Sequence, residues 1–306
     1  MNVFVWHVHG SWMTAFVQGS HRYLVPRLPE RGPWGLGRAQ TYRWPENAVE
    51  VSPERAREEP VDVVVLQRPQ ELDGLAEQWL GRKPGTDVSA VYLEHNAPQG
   101  RVNEMRHPAA DRSDVTVVHV THFNRLFWDT GSARVRVIEH GIVDPGHRYT
   151  GELRRGVAAV NEPGRRARVV GADLLPELGR DVPIDLFGMG TSNDVSQRRL
   201  HEEMARRRFY LHPYRWTSLG LSLIEAMQLG MPVVALATTE VPEAVPASAG
   251  FVSNRIEKLN AGICELANNP ELAHRMGTSA REAALARYGL DRFLADWDRV
   301  LAEVSA

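Results

Sequence analysis

TSLGLSLIEAMQLGMPVV, residues 217–234, opens on helix-capping residues, turns strongly apolar, places one acid, Glu225, in the middle, and ends in a Gly-Met-Pro turn that runs into valines. Read as a helix beginning near Ser218 with strands at 209–212 and 232–236 on either side, it is a complete strand–helix–strand unit. Two strands joined this way run parallel, because a chain that returns in the same direction needs a crossover connection. The stretch therefore predicts an open parallel sheet covered by helices.

The same alternation extends outward in both directions. Upstream, strands are expected at 157–160 and 184–187, with helices around 171–178 and 197–207; downstream, the tail 256–304 reads as helical. The first half repeats the pattern with strands at 2–9, 61–66, 88–93, 115–119 and 135–138, and helices at 71–80 and 124–129. Residues 26–53, crowded with Gly and Pro, read as one long loop of the kind that often binds a ligand. The alternation breaks near GIVDPGHRYTGELRRG, residues 141–156. The expected architecture is α/β: a Rossmann-like half over 1–148, a second over 149–289, and a ligand cleft between them at the carboxyl ends of the strands. In the last segment, 290–306, Leu290, Phe293, Leu294, Trp297 and Leu301 recur at helical spacing; they are expected to pack either back across the first half or against the second.

Composition removes several classes of function. The 306 residues carry 36 Lys and Arg against 38 Asp and Glu, a net charge of -2, which lacks the basic excess of a nucleic-acid binder. Lys83 and Lys258 are the only lysines, and Cys264 is the only cysteine, so neither an intramolecular disulfide nor a cysteine-based zinc cluster can form. The start, MNVFVWHVHG, has no basic leader or cleavage site, and no apolar run reaches membrane-spanning length. These features predict a soluble cytoplasmic protein without a membrane span.

Glu225 needs a reason for its place. A helix that begins near Ser218 points its free amides and the positive end of its dipole at whatever lies beyond the preceding strand, which favours a phosphate. At ~1.5 Å per residue Glu225 lies about 10 Å along, the reach from a diphosphate to the ribose hydroxyls of a nucleotide lying on the helix, and a carboxylate accepts from both hydroxyls. Ser222, Glu225 and Gln228 also recur every three residues, so a solvated polar stripe is the alternative.

FYLHPYRWTSLGLSLIEAMQLGMPVVALATTEVPEAVPASAGFV, residues 209–252, resembles the donor-site region of retaining glycosyltransferases with the GT-B fold, the family 4 or group 1 enzymes. Members carry a glutamate, seven residues, a second glutamate, Ala-Met and a Gly-x-Pro-Val-Val turn; Glu225, Ala226, Met227, Gly230, Pro232, Val233 and Val234 match. The resemblance is clear over the second half and weaker, though consistent in order, over the first. It implies that Glu225 binds the ribose of a nucleotide-diphosphate sugar. The first glutamate, which contacts the transferred sugar, is replaced by Thr217, whose hydroxyl supplies neither the charge nor the two acceptor atoms of a carboxylate. The resemblance places Gly188 and Gly190 of GMGTS in a nucleotide-contacting turn. It puts Arg165, with Arg166 or Arg168 in place of the usual lysine, on the diphosphate. The backbone of Ser218, Leu219 and Gly220 would face the same group, and in the first half Gly10 of HVHGSW and His95 of LEHNAP would face the donor phosphate and the anomeric side of the sugar. Each has a plainer reading: strand-to-helix turns for the glycines, a surface basic cluster for the arginines, and a structural histidine for His95. His140 of VIEHGIVDP reads as structural.

The implied chemistry is transfer of the sugar to an acceptor with retained anomeric configuration. The arginines and amides would receive the developing charge without a metal or any cofactor beyond the donor, and domain closure would exclude water. A small-molecule acceptor is expected. Asp296-Trp297-Asp298 resembles a metal motif of another glycosyltransferase fold but falls on an amphipathic terminal segment, and Gly35-Leu36-Gly37 lacks the strand and third glycine of a dinucleotide site. A nucleotide-sugar epimerase of the same fold, and an impaired nucleotide-sugar-binding partner protein, remain as rival readings.

Overall fold

Strands that read as unbroken runs of valine have no polar face to turn to water, so they form parallel sheets covered on both sides. The computed structural model describes residues 1–306 and contains two such sheets, one in each of two units: Met1–Gly141 together with Leu290–Ala306, and Ile142–Gly289. The second unit begins at Ile142, ahead of 149, because the amides of Ile142, Arg148 and Tyr149 bond to carbonyls of Tyr288 and Leu229.

In the first unit β1 (Asn2–Val5), β2 (Arg22–Pro26), β3 (Ala48–Val51), β4 (Val63–Leu66), β5 (Ser89–Glu94), β6 (Val115–His119) and β7 (Arg134–Val137) lie in the order β3-β2-β1-β4-β5-β6-β7, every pair parallel. Phe4, Trp6 and Trp79 pack edge to face on one side of the sheet. Elsewhere in the core Trp12 stacks on Phe16 at 4.6 Å, and Trp297 of the helix Leu290–Ser305 meets both rings, at 5.6 and 4.9 Å. Of the two expected places for this last helix, the first unit is the one it takes. Gly141 lies against Phe293 so closely that a Cβ there would overlap the ring.

In the second unit β8 (Leu153–Ala159), β9 (Ile184–Phe187), β10 (Arg207–His212), β11 (Val233–Ala235) and β12 (Gly250–Val252) take the order β12-β11-β10-β8-β9, again all parallel. Each sheet reverses its strand order once, between β1 and β4 and between β8 and β10. Each reversal opens a crevice at the carboxyl ends of the central strands.

Several expectations need correcting. Residues 26–53 are not one loop: β2 ends at Pro26 and β3 occupies Ala48–Val51, and the span between them is held by Arg38, which donates to the carbonyls of Trp44, Pro45 and Ala48. The first strand ends at Val5, so His7 and His9 stand in the loop beyond it. The helix expected at 71–80 is interrupted at Gly74, whose φ of 122° no helix accommodates. The helix around 171–178 shrinks to a short turn and the helix Leu175–Leu178, because Gly171, at φ 70°, packs directly on the carbonyl of Pro213. The helical tail is three helices, Ile256–Asn268, Pro270–Tyr288 and Leu290–Ser305, punctuated by Asn269 and Gly289.

Candidate functional site

In the second unit the site is built on the loop that follows β10. His212 closes the strand, wholly buried, and its imidazole stacks on Tyr214 at 4.6 Å. Burial pushes its pKa down to about 3, so the ring is neutral. Gly220 rests on that ring: a Cβ there would stand 2.7 Å from its Cε1. Neighbouring loops clamp the segment. Tyr214 donates to the Ala159 carbonyl at 3.1 Å, Thr238 donates to the Tyr214 carbonyl at 2.7 Å, and the amides of Arg215 and Trp216 bond to Val169.

The helix that follows runs Leu221–Leu229, with Gly220 as its N-cap. It begins later than the expected Ser218, since the seat of Gly220 on His212 fixes where the turn starts. Gly220 has no side chain with which to cap it; the Leu223 amide bonds to the Gly220 carbonyl at 3.0 Å, and the amides of Leu221 and Ser222 are the ones a ligand would meet. Ser218 and Leu219 are buried, Leu219 in the core, and Thr217 is half-buried. Glu225 accordingly lies about 6 Å, not about 10 Å, along the helix.

The solvated stripe does not exist. Ser222 shares a 2.8 Å hydrogen bond with Tyr210, Gln228 donates to the Tyr288 carbonyl at 3.2 Å, and Glu225 is 6% exposed with its Oε2 3.3 Å from Nε2 of His201. His201 sits on the helix Gln197–Arg206, outside every motif the sequence suggested. A polar residue four positions after Gln197 on a surface-like helix gave no signal in the sequence.

The loops after β8 and β9 are laced together beside this segment. Gly188 and Gly190 both take positive φ, 129° and 76°, and a Cβ at Gly188 would stand 2.5 Å from the Val160 carbonyl oxygen. Met189 between them receives an Asn161 side-chain contact at 3.0 Å on its amide and returns its carbonyl to the Glu162 amide at 2.7 Å. The arginines divide. Arg165 is exposed and grips Glu162, holding that carboxyl below its usual range. Pro163 starts the short helix Pro163–Arg166 and so puts Arg165 one turn from Glu162. Arg166 instead lies over the Tyr214 ring, 5.8 Å from its centroid, and has no carboxylate partner. Arg168 and Arg215 share Asp173. Of the expected phosphate ligands, Arg166 is the one whose guanidinium lies over a ring of the loop after β10.

In the first unit the crevice between β1 and β4 carries imidazoles. Gln67, just past β4, donates to the Trp6 carbonyl at 2.7 Å, so its Oε1, 2.9 Å from His95 Nε2, is the acceptor and His95 bears its proton on Nε2. His95 is buried, and burial followed by the nearness of His9 and His140 holds its pKa well below 6.5. The His9 ring lies 4.2 Å from that of His95, and Trp12 meets His95 edge-on at 5.3 Å. Desolvation, then Arg68 and His7, push His9 down to about 4; burial, then His9 and Arg292, push His140 to about 3. His140 is therefore part of a cluster of three neutral rings. Glu94 shapes the turn that follows, with Oε1 accepting from the Asn96 amide at 2.7 Å and Oε2 3.3 Å from His107.

Gly10 opens the helix Gly10–Phe16. Tyr42 lies over it, with a Cβ at Gly10 placed 3.1 Å from the phenol ring and the hydroxyl 3.1 Å from Ser11 Oγ. Asp296 and Asp298 do not act together: the first pairs with Arg292 at 2.8 Å, the second with His21 at 2.9 Å. No group of three or more His, Cys, Asp or Glu is arranged to hold a metal ion.

Residues 191–283 match the family of glycosyl transferases group 1. No curated protein matches the chain. Among solved structures, TarM is similar at 15% identity and a TM-score of 0.64 over 78% of this chain, which spans 54% of TarM. Sucrose-phosphate synthase from Thermosynechococcus elongatus matches at 11% identity and a TM-score of 0.69, covering 99% of this chain and 98% of its own. HepE from Anabaena in complex with UDP matches at 13% and 0.66, covering 99% of each; HepE is also known with UDP-glucose. The matched segment contains the Gly220 turn, Glu225 and His201 and is similar to the group 1 glycosyl transferases, and the two-sheet α/β architecture is that of these GT-B structures.

Proposed function

We propose that the protein transfers a sugar from a nucleotide-diphosphate sugar to a small-molecule acceptor, with retention of anomeric configuration and without a metal. The observation that carries the reading is the helix start at Gly220, a residue with no side chain to cap it, five residues upstream of a nearly buried carboxylate, Glu225. The amides receive the diphosphate and Glu225 accepts from the ribose hydroxyls. UDP and UDP-glucose in HepE, a structure of the same fold, support a uridine donor.

Arg166, held over Tyr214, supplies charge as the diphosphate leaves, with Arg165 able to join it by releasing Glu162. The turn at Gly188 and Gly190 presents backbone to the nucleotide. Thr217 offers one hydroxyl and no charge to the sugar, so the sugar is held chiefly by other groups. In the first unit Gly10 lends backbone amides, and His95, neutral and protonated on Nε2, stands near the anomeric side of the sugar. The departing diphosphate oxygen takes the acceptor proton, so no side-chain base is required.

Calorimetric titration of UDP, GDP, ADP and dTDP into the wild type and Glu225→Ala tests the reading. One nucleotide is expected to bind at micromolar affinity, and the variant to lose about a hundredfold, on the order of 3 kcal/mol. Binding by none of the four, or binding indifferent to Glu225, defeats it.

A further inference from the structure

We infer that His201 is a positioning residue for ribose recognition: by holding one oxygen of Glu225 it makes the site select ribonucleotide donors over 2′-deoxyribonucleotide donors such as dTDP-sugars. The inference rests on the reading of Glu225 as the ribose-binding carboxylate.

Nε2 of His201 stands 3.3 Å from Oε2 of Glu225, with both side chains largely buried. A buried carboxylate without a partner is strongly disfavoured, so the contact fixes the side chain rather than decorating it. His201 is itself fixed, because Gln197, one turn earlier on the same helix, has its amide nitrogen 2.9 Å from the same ring nitrogen. That nitrogen cannot accept from Gln197 and donate to Glu225 at once. The buried carboxylate favours the Nε2–H tautomer, whose single hydrogen is then shared between Oε2 of Glu225 and the side-chain oxygen that Gln197 turns toward the ring.

The arrangement leaves the other oxygen, Oε1, to meet a hydroxyl. A carboxylate with two free oxygens rotates to meet whichever hydroxyl is present. One pinned through Oε2 presents Oε1 along a single direction and depends on a correctly placed hydroxyl. Ser222, one turn earlier on the Glu225 helix, is occupied by Tyr210, so it does not compete for either oxygen.

Isothermal titration of UDP and 2′-deoxy-UDP into the wild type, Glu225→Ala, His201→Ala and His201→Gln tests the inference; if UDP does not bind, the ribo and deoxy forms of whichever nucleotide binds replace it. The wild type is expected to prefer UDP by about tenfold or more, the worth of one hydrogen bond to a charged group. His201→Ala should bring UDP down to within about twofold of 2′-deoxy-UDP, while His201→Gln, which keeps a donor within reach of Oε2, restores most of the preference. If Glu225→Ala abolishes the preference but His201→Ala retains it, His201 is ordinary packing and the inference is overturned. A variant that keeps the preference on losing Glu225 itself, or a wild type that binds no nucleotide, overturns instead the donor-site reading on which the inference stands. Thermal melts of each variant separate loss of binding from loss of fold, and His201→Gln carries the test if His201→Ala does not fold.

Discussion

At the scale of single residues, the site depends on an atom that is missing. Gly220 has no Cβ, and the space it leaves is filled by the imidazole of His212, whose two ring nitrogens are buried without a partner. An unpaired polar ring under a helix start is a costly choice for a core position. What it provides is shape: a flat, neutral surface on which the chain turns from loop to helix without a side-chain cap. Gly220→Ala is therefore expected to displace the turn, to destabilise the protein by about 1–3 kcal/mol as overpacking does, and to weaken nucleotide binding by at least tenfold. His212→Ala in the same chain makes room for the methyl and should recover much of both losses. Melting curves and nucleotide titrations of the single and double variants check it; a Gly220→Ala protein with native affinity would show that the turn has slack.

At the scale of elements, the helix Leu290–Ser305 offers the clearest measure of packing. Trp297 is 1% exposed and touches Trp12 and Phe16, so Trp297→Ala is expected to cost about 3–5 kcal/mol, read as a fall in the denaturant midpoint. Sequence periodicity showed that this helix has an apolar face but not which unit receives it, because periodicity describes one surface and not its partner. Strands were legible where valines ran together: β6 and β9 lie where they were expected. β2, beginning at an arginine and ending in a proline, and β3, four residues with a glutamate inside, were hidden because short edge-side strands carry little apolar signal. Boundaries failed at glycines forced into positive φ by close neighbours, as at Gly171, since the neighbour that forces them comes from elsewhere in the chain. The residues of the site divide in the same way. Glu225 and the glycines of the turns were visible in motifs. His201, Gln67 and the grouping of His9 and His140 with His95 were not, because each acquires its meaning only from a partner distant in sequence.

At the scale of the whole molecule, buried imidazoles recur in both units. His119 and His140 in the first and His212 in the second are all pushed to about 3 chiefly by burial. A histidine depressed in the fold but near 6.5 when unfolded takes up its proton first in the unfolded chain. Its contribution is complete above about pH 6.5 and declines as the pH falls toward the folded value, by about 1.4 kcal/mol per pH unit for each ring. The melting temperature is therefore expected to hold steady between pH 7 and 8 and to drop steeply between pH 6.5 and 5. Scanning calorimetry across that range checks it, and a flat profile would mean the rings are not held neutral.

The path of the backbone has a further consequence. The first unit is made of Met1–Gly141 and of Leu290–Ala306, whereas the second is one uninterrupted stretch, Ile142–Gly289. On a ribosome, which releases the chain from its amino end, the strands of the first sheet emerge early but wait for the whole second unit to be synthesised before Trp297 arrives to cover Trp12 and Phe16. The half that is translated first is thus completed last, and during that interval its exposed aromatic face is the part of the newborn protein most in need of a chaperone.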